Sequence, residues 1–456
     1  MLLAEKLQDT KLNQSSFYDT LLVLAIPIMI QNLITSSINM IDTVMIGKIG
    51  ETEIAAVGIA NQYFFLFNLI IVGITSGGGI FISQYWGQKD KENILKTVGI
   101  SLFLSIGVSI TFMLIALIIP EYIVSLFNKD PYVIQLAVDY LLIVSISYVF
   151  TAISLAFGVS SRCVEDSIVP MLVSTIALFI NASLNYIFIF GHFGMAAMGV
   201  KGAALATLIA RIVETIILLL YIYVDKDFLA VKWKNISAIN KSFVQNTLRT
   251  IIPVVTNDLC WALGMIIYAI AYGHIGTRAM AAVQITGTVQ NVFMVFTFGV
   301  ASASAVMIGN QIGANNIQKS KEYKERFIRL ATIIGIIIGL ILALSTPKIL
   351  TFFNVSPEVH NSALKILYIY SIMMPVKVLG VIIIVGILRG GGDASYALKI
   401  EASTMWLVGV PLVFLGSFIL KFPVEWVMVM VTLEEITKMI LGLKRLRTSQ
   451  WIRRVI

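Results

Sequence analysis

Residues 24–50 read LAIPIMIQNLITSSINMIDTVMIGKIG, and residues 250–276 read TIIPVVTNDLCWALGMIIYAIAYGHIG. Carried on to residues 90 and 316, the two stretches align without a gap at a shift of 226 positions. Pro27 falls on Pro253, Gly50 on Gly276, Ala55-Ala56-Val57 on Ala281-Ala282-Val283, Gly73 on Gly299 and Gly87 on Gly313. About 16 of the 67 pairs are identical. Identities at Gly and Pro mark shared backbone geometry rather than shared apolarity. The chain therefore reads as two homologous halves, 1–235 and 236–456. Positions where the halves differ become candidates for function.

Composition sets the class. Hydrophobic residues make up 58% of the chain and charged residues 13%, with a mean hydropathy of +0.90. A soluble protein of this length has too little charge here to cover its surface. The expected class is an all-α polytopic membrane protein. At roughly 20 residues per crossing, the apolar runs predict twelve transmembrane helices, six in each half. They lie near 18–45, 55–80, 97–119, 134–158, 168–190, 199–224, 249–272, 281–307, 326–346, 362–388, 398–420 and 424–442. The polar lead Glu5 to Ser16 is unlike a signal peptide, so no cleavage is expected. Cys163 and Cys260 lack metal-binding neighbours and predict no disulfide.

The net charge of +8 follows the loops and is no nucleic-acid signal. About 22 of the 33 Lys and Arg lie in the even-numbered loops, their span edges and the two tails. Positive residues stay in the cytoplasm, which puts both termini there. An even number of spans per half makes the copies parallel repeats, an N and a C lobe about an axis normal to the membrane. A second match supports this: Arg162-Cys-Val-Glu-Asp166 follows the fourth span, and Arg389-Gly-Gly-Gly-Asp393 follows the tenth. Two such lobes leave a central cleft, the substrate path of repeat transporters.

Charges within spans are costly and need a reason. Asp42 lies near the outer end of span 1, Asn181 and Asn185 share one face of span 5, and Thr207 lies on span 6. All four fall within about three turns of the outer ends, at ~1.5 Å per residue. A carboxylate, two carboxamides and a hydroxyl are hard oxygen ligands that suit Na⁺. The same acid suits a proton, and the set also suits a polar network that only fixes packing. Asp42 aligns with Tyr268, so this acid belongs to one half alone. Asp258 and Trp261 lie one turn apart on span 7, where a carboxylate beside an indole suits an organic cation. Lys377 on span 10 lies at comparable depth. It is expected to pair with Asp258 or to share substrate contact with it. Gln62, Gln284, Gln31 and Asn291 suit cleft lining and interhelical hydrogen bonds equally, and Gln62 and Gln284 are further cleft candidates. Arg211 and Glu214 are three apart on span 6 and read as a structural pair.

No enzyme motif is present. There is no P-loop, and His192, His274 and His360 are scattered in outer loops. The run Thr75-Ser76-Gly77-Gly78-Gly79 reads as a close helix contact.

At these residues the chain resembles the multidrug and toxic compound extrusion (MATE) family. The matching pieces are Ile41-Asp42-Thr43-Val-Met-Ile-Gly47, Gly202-Ala-Ala-Leu-Ala-Thr207 and Leu388-Arg-Gly-Gly-Gly-Asp393. Trp406-x-x-Gly409-x-Pro411 and the tail from Leu433-Glu-Glu-Ile-Thr-Lys438 to Trp451 also fit, so the likeness spans the chain. The resemblance implies a two-lobed, twelve-helix antiporter in which Na⁺ or H⁺ entry drives export of organic, often cationic, compounds, with no other cofactor. It implies that Asp42, Asn181, Asn185 and Thr207 are the coupling-cation site. One branch of the family has acids on span 10, near the place of Lys377, and on span 7, a turn beyond Asp258; this chain departs from it there.

The expected protein is thus a multidrug efflux antiporter of a prokaryotic inner cell membrane, acting as a monomer on small organic substrates. A flippase for a lipid-linked or polysaccharide precursor is the alternative; its anionic substrate calls for a basic cleft. A channel or intramembrane enzyme lacks a repeated pore motif or a nucleophile–base pair.

Overall fold

The computed structural model describes residues 2–232, 239–353 and 355–456, with backbone alone for residues 2–16 and 36–41. The described residues are helical, without strands. The first eight helices are α1 (Leu2–Gly47), α2 (Glu51–Gln88), α3 (Lys91–Ile118), α4 (Pro120–Ser125), α5 (Pro131–Val144), α6 (Ser147–Cys163), α7 (Ile168–Phe190) and α8 (Gly199–Asp225). They are followed by α9 (Lys241–Ile275), α10 (Thr277–Gly313), α11 (Ile317–Leu350), α12 (Pro357–Leu388), α13 (Ala394–Ile419) and α14 (Val424–Arg447). Starts follow local chemistry: Asp90 and Asp130 accept from the first free N–H groups of α3 and α5, at 3.1 and 2.9 Å.

Among the described residues, ten helices are long and apolar enough to cross a bilayer. The pair α5–α6, bent by 50°, is an eleventh if taken as one span. Helix α14 has the length of a span, 24 residues. Glu434, Glu435 and Lys438 in its interior keep it out of an apolar count.

Contacts group the chain into two compact units, Ile30–Val255 on one hand and Met1–Met29 with Thr256–Ile456 on the other. Both boundaries fall two residues beyond a proline, Pro27 in α1 and Pro253 in α9, at equivalent places in the repeat. Proline removes one backbone hydrogen bond and crowds the preceding turn, so it weakens a helix there. The expected halves 1–235 and 236–456 divide the chain by its sequence repeat, at a boundary that lies outside the described residues, whereas these units divide it by packing.

Within the Ile30–Val255 unit, Phe67 stacks on Tyr148 at 4.6 Å in the core between α2, α3, α5 and α6. The small-residue run of α2 is a close contact: a Cβ on Gly77 would meet the Ile251 Cα at 2.8 Å. In the other unit α11 lies against α12, and Phe17 of α1 packs edge-on to Phe327.

The repeat is visible in the backbone of the two turns. Glu165 N–H donates to Arg162 O and Asp166 N–H to Ser161 O, at 3.1 and 2.9 Å. Gly392 N–H donates to Arg389 O and Asp393 N–H to Leu388 O, both at 2.9 Å. Glu165 (φ 65°) and Gly392 (φ 81°) occupy the same left-handed position. Asp166 then receives Tyr221 and Lys226 from the end of α8, and Asp393 receives Arg445 and Arg453 from the end of α14 and beyond.

Candidate functional site

Three helices of the Ile30–Val255 unit bring the predicted polar residues together. Asp42 lies five residues before the end of α1; Asn181 and Asn185 lie nine and five before the end of α7; Thr207 is eight after the start of α8. These are the same-side ends of antiparallel neighbours, and α7 and α8 pack closely along their length. The Asn185 amide donates to Asp42 Oδ1 at 2.6 Å and lies 3.3 Å from the Asn181 carboxamide. The Asn181 carboxamide sits between Asp42 and Thr207. With its NH₂ toward Asp42, it reaches both carboxylate oxygens at 3.2 and 3.3 Å and accepts from the Thr207 hydroxyl at 3.3 Å.

Asn181 and Asn185 are buried, 6% and 1% exposed. The Asn185 carbonyl oxygen is buried without a hydrogen-bond partner. A buried polar atom left unmatched costs about 1–3 kcal/mol, unless something that wants an oxygen sits against it. Tyr140 on α5, also buried, reaches Thr207 and faces Asp42. The sequence reading missed it, because one tyrosine in an apolar helix reads as packing. The set contains one carboxylate, two carboxamides and two hydroxyls, with both amide NH₂ groups turned toward Asp42 and hard oxygen atoms on every member. That is chemistry for Na⁺ or a proton rather than for a soft metal.

A polar chain runs from this level toward the 162–166 turn. Arg211, four residues beyond Thr207 on α8, donates to Glu214 Oε2 at 2.7 Å. Ser174 donates to Glu214 Oε1 at 2.7 Å, Gln31 Nε2 to Ser174 at 2.8 Å, and Arg162 to Gln31 Oε1 at 3.4 Å. The expected Arg211–Glu214 pair is therefore one link of a longer network.

In the other unit, Asp258 does not pair with Lys377. Arg389, from the turn after α12, donates to Asp258 Oδ1 at 2.5 Å and to Asn257 Oδ1 at 3.1 Å. The same repeat logic holds in both units, since Arg162 reaches Gln31 and Arg389 reaches Asn257, the repeat partner of Gln31. Lys377 lies over the Tyr370 ring, 5.7 Å from its centre, and faces Glu434 and Glu435. Depth along a helix does not fix which way a helix face turns. Trp261, Gln62 and Gln284 have exposed side chains. Glu401, Glu434 and Lys438 form a buried cluster in this unit that the sequence reading did not single out.

Comparison with known proteins agrees with the repeat. The MatE family profile matches this chain twice, over residues 27–187 and 253–415. The two matches begin at the two equivalent prolines. The chain is 25% identical over 414 residues to a Thermotoga maritima protein named "Probable multidrug resistance protein NorM", covering 86% of this chain and 84% of that one. It is 25% identical over 424 residues to the "Uncharacterized transporter YisQ" of Bacillus subtilis, covering 91% and 90%. Among solved structures, an outward-facing multidrug resistance MATE family transporter superposes with a TM-score of 0.87 at 19% identity, over 95% of this chain and 96% of that one. A transporter of the MOP superfamily from Pyrococcus furiosus superposes with a TM-score of 0.84 at 19% identity, over 94% of each chain. The fold is that of a two-lobed, multi-pass membrane transporter.

Proposed function

The chain belongs to the MatE family, and on that footing we propose that it is a cation-coupled antiporter that exports organic, often cationic, compounds across a prokaryotic inner membrane. Both termini lie in the cytoplasm in this reading, as the loop charges require. The observation that carries it is the buried cluster in which Asn185 holds Asp42 at 2.6 Å and keeps its own carbonyl oxygen unmatched. Asp42 accepts the coupling cation, Na⁺ or H⁺. If the ion is Na⁺, the carboxamides of Asn181 and Asn185 turn their oxygens from the present arrangement toward it and, with the hydroxyl of Thr207, complete its shell. Exchange then requires that cation and exported compound favour opposite facings of the transporter, each binding the two states unequally.

Trp261, Gln284 and Gln62 keep exposed side chains and stay candidates for contact with the exported compound. The Asp258 carboxylate, held by Arg389, serves the structure. Lys377 faces acids of its own unit and is assigned to them.

The test is dye efflux from proteoliposomes carrying the full chain, under an imposed Na⁺ gradient and separately under an imposed pH gradient. Efflux driven by one of them is expected, and identifies the ion. No efflux under either, with folded protein in the bilayer, contradicts the reading and turns attention to a lipid-linked or polysaccharide precursor.

A further inference from the structure

Tyr268 is the repeat counterpart of Asp42, and its hydroxyl donates to Glu434 Oε2 of α14 at 2.6 Å. One unit sets an acid on α1 near a hydroxyl on α8. The other sets a hydroxyl on α9 against an acid on α14, with the roles exchanged. The register of the two turns places Gly409 opposite Ala182, the neighbour of Asn181. A Cβ on Gly409 would collide with both the Tyr268 hydroxyl and the Glu434 carboxylate. The absence of a side chain at Gly409 thus leaves room for the Tyr268–Glu434 pair.

One turn along α14, the Lys438 ammonium lies 2.9 Å from Glu401, 3.0 Å from Glu434 and 3.9 Å from Glu435. Glu401, Glu434 and Lys438 are 5%, 2% and 6% exposed. The facing groups come from every neighbouring helix. Helix α9 supplies Tyr268, Tyr272 and, toward Glu401, Cys260. Helix α12 supplies Tyr370 and Lys377, both facing Glu435. The Tyr272 and Tyr370 hydroxyls donate to Met428 Sδ, at 3.5 and 3.6 Å. Neither lends a charge. Asp258 is matched by Arg389 and lends none either.

The charges do not balance. Three carboxylates, Glu401, Glu434 and Glu435, face two ammonium groups, Lys438 and Lys377. An unmatched charge inside a membrane protein costs several kcal/mol, and one added proton removes it. Glu434 Oε1 is buried and lies 3.0 Å from the Lys438 ammonium without hydrogen-bond geometry, so it keeps a lone pair that can take that proton beside the ammonium. Na⁺ suits the cluster poorly, because the Lys438 ammonium already occupies its centre.

We propose that the Glu401–Glu434–Lys438 cluster, held by Tyr268, is a second ionisable site of this chain and carries one exchangeable proton. Its use as a second coupling site rests on the antiport reading above; its proton does not.

The experiment is infrared difference spectroscopy of the full chain in lipid nanodiscs, stepped between acidic and alkaline pH. The wild type shows a protonated-carboxyl band that vanishes at alkaline pH, and Asp42→Asn retains a band. Glu434→Gln and Glu401→Gln each leave two carboxylates against two ammonium groups, so each loses the cluster's band. Lys377→Met removes one positive charge and increases the band. Tyr268→Phe keeps the band but moves it to higher frequency, because the carboxyl loses a donor. A band that disappears in Asp42→Asn and persists in both Gln variants, or a Lys377→Met variant with no increase, overturns the proposal. If Glu434→Gln does not fold, Glu401→Gln and Lys377→Met decide. Absence of efflux in the wild type would sink the antiport reading while leaving this band in place.

Discussion

A lone carboxylate in an apolar bundle needs partners, and Asp42 has them on three helices. The Asn185 amide is a hydrogen-bond donor to a carboxylate that stays charged unless the bound cation is a proton. Such a bond is worth about 1.5–3 kcal/mol. Asn185→Ala removes both this donor and the unmatched carbonyl oxygen. For Na⁺ the concentration for half-maximal efflux should then rise by about tenfold or more, at ~1.4 kcal/mol per decade, whereas for H⁺ the loss of a donor to the carboxylate favours the neutral acid and lowers it; an unchanged value would remove Asn185 from the site. Arg211 and Glu214 make a different kind of pair. The Glu214 side chain is 6% exposed and that of Arg211 30%. Arg211→Gln strands a buried carboxylate and should cost about 3 kcal/mol, the lower end for breaking a buried pair. The double variant Arg211→Gln with Glu214→Gln leaves no stranded charge and should recover most of the loss. Thermal unfolding in detergent reads both, and a double variant as unstable as the single one speaks against simple pairing.

Among the elements, the two repeated turns show what sequence carries and where it stops. The shared Arg and Asp were legible, because a fixed spacing survives divergence. Their partners were not. Asp393 reaches Arg445, 52 positions away, and Arg389 reaches Asp258, 131 positions away. Such contacts depend on how each helix is rotated, which hydropathy does not encode. The same gap explains Lys377, which faces Glu434 and Glu435 rather than Asp258. It also explains Tyr140, whose neighbour set appears only when α5 is placed beside α8. The Asp42 cluster was legible because polar residues are rare in these spans and sit at one depth. The turns differ at three positions, the last of which, Glu165 against Gly392, is left-handed in both. A residue with a side chain there costs roughly 1–2 kcal/mol. Gly392→Ala adds that strain and a collision with the Arg453 carbonyl, so its melting temperature should fall. Glu165→Gly relieves strain at some cost in chain entropy and should be neutral or stabilising. A destabilised Glu165→Gly and an unaffected Gly392→Ala would show that the turns are not equivalent.

At the scale of the whole molecule, duplication built two units from one plan and then specialised them. One kept an acid on α1 with amide and hydroxyl partners; the other moved its acids to α13 and α14 around a lysine. The asymmetry matters for a transporter, because an exchange cycle needs a group whose occupancy biases one facing over the other. Asp42 is the proposed group, and its removal gives the most direct test. Efflux of an organic cation from proteoliposomes, under whichever cation gradient drives the wild type, should fall to the protein-free leak in Asp42→Asn while the variant remains folded and inserted. Wild-type efflux from folded Asp42→Asn, with the same dependence on the gradient, would contradict the account.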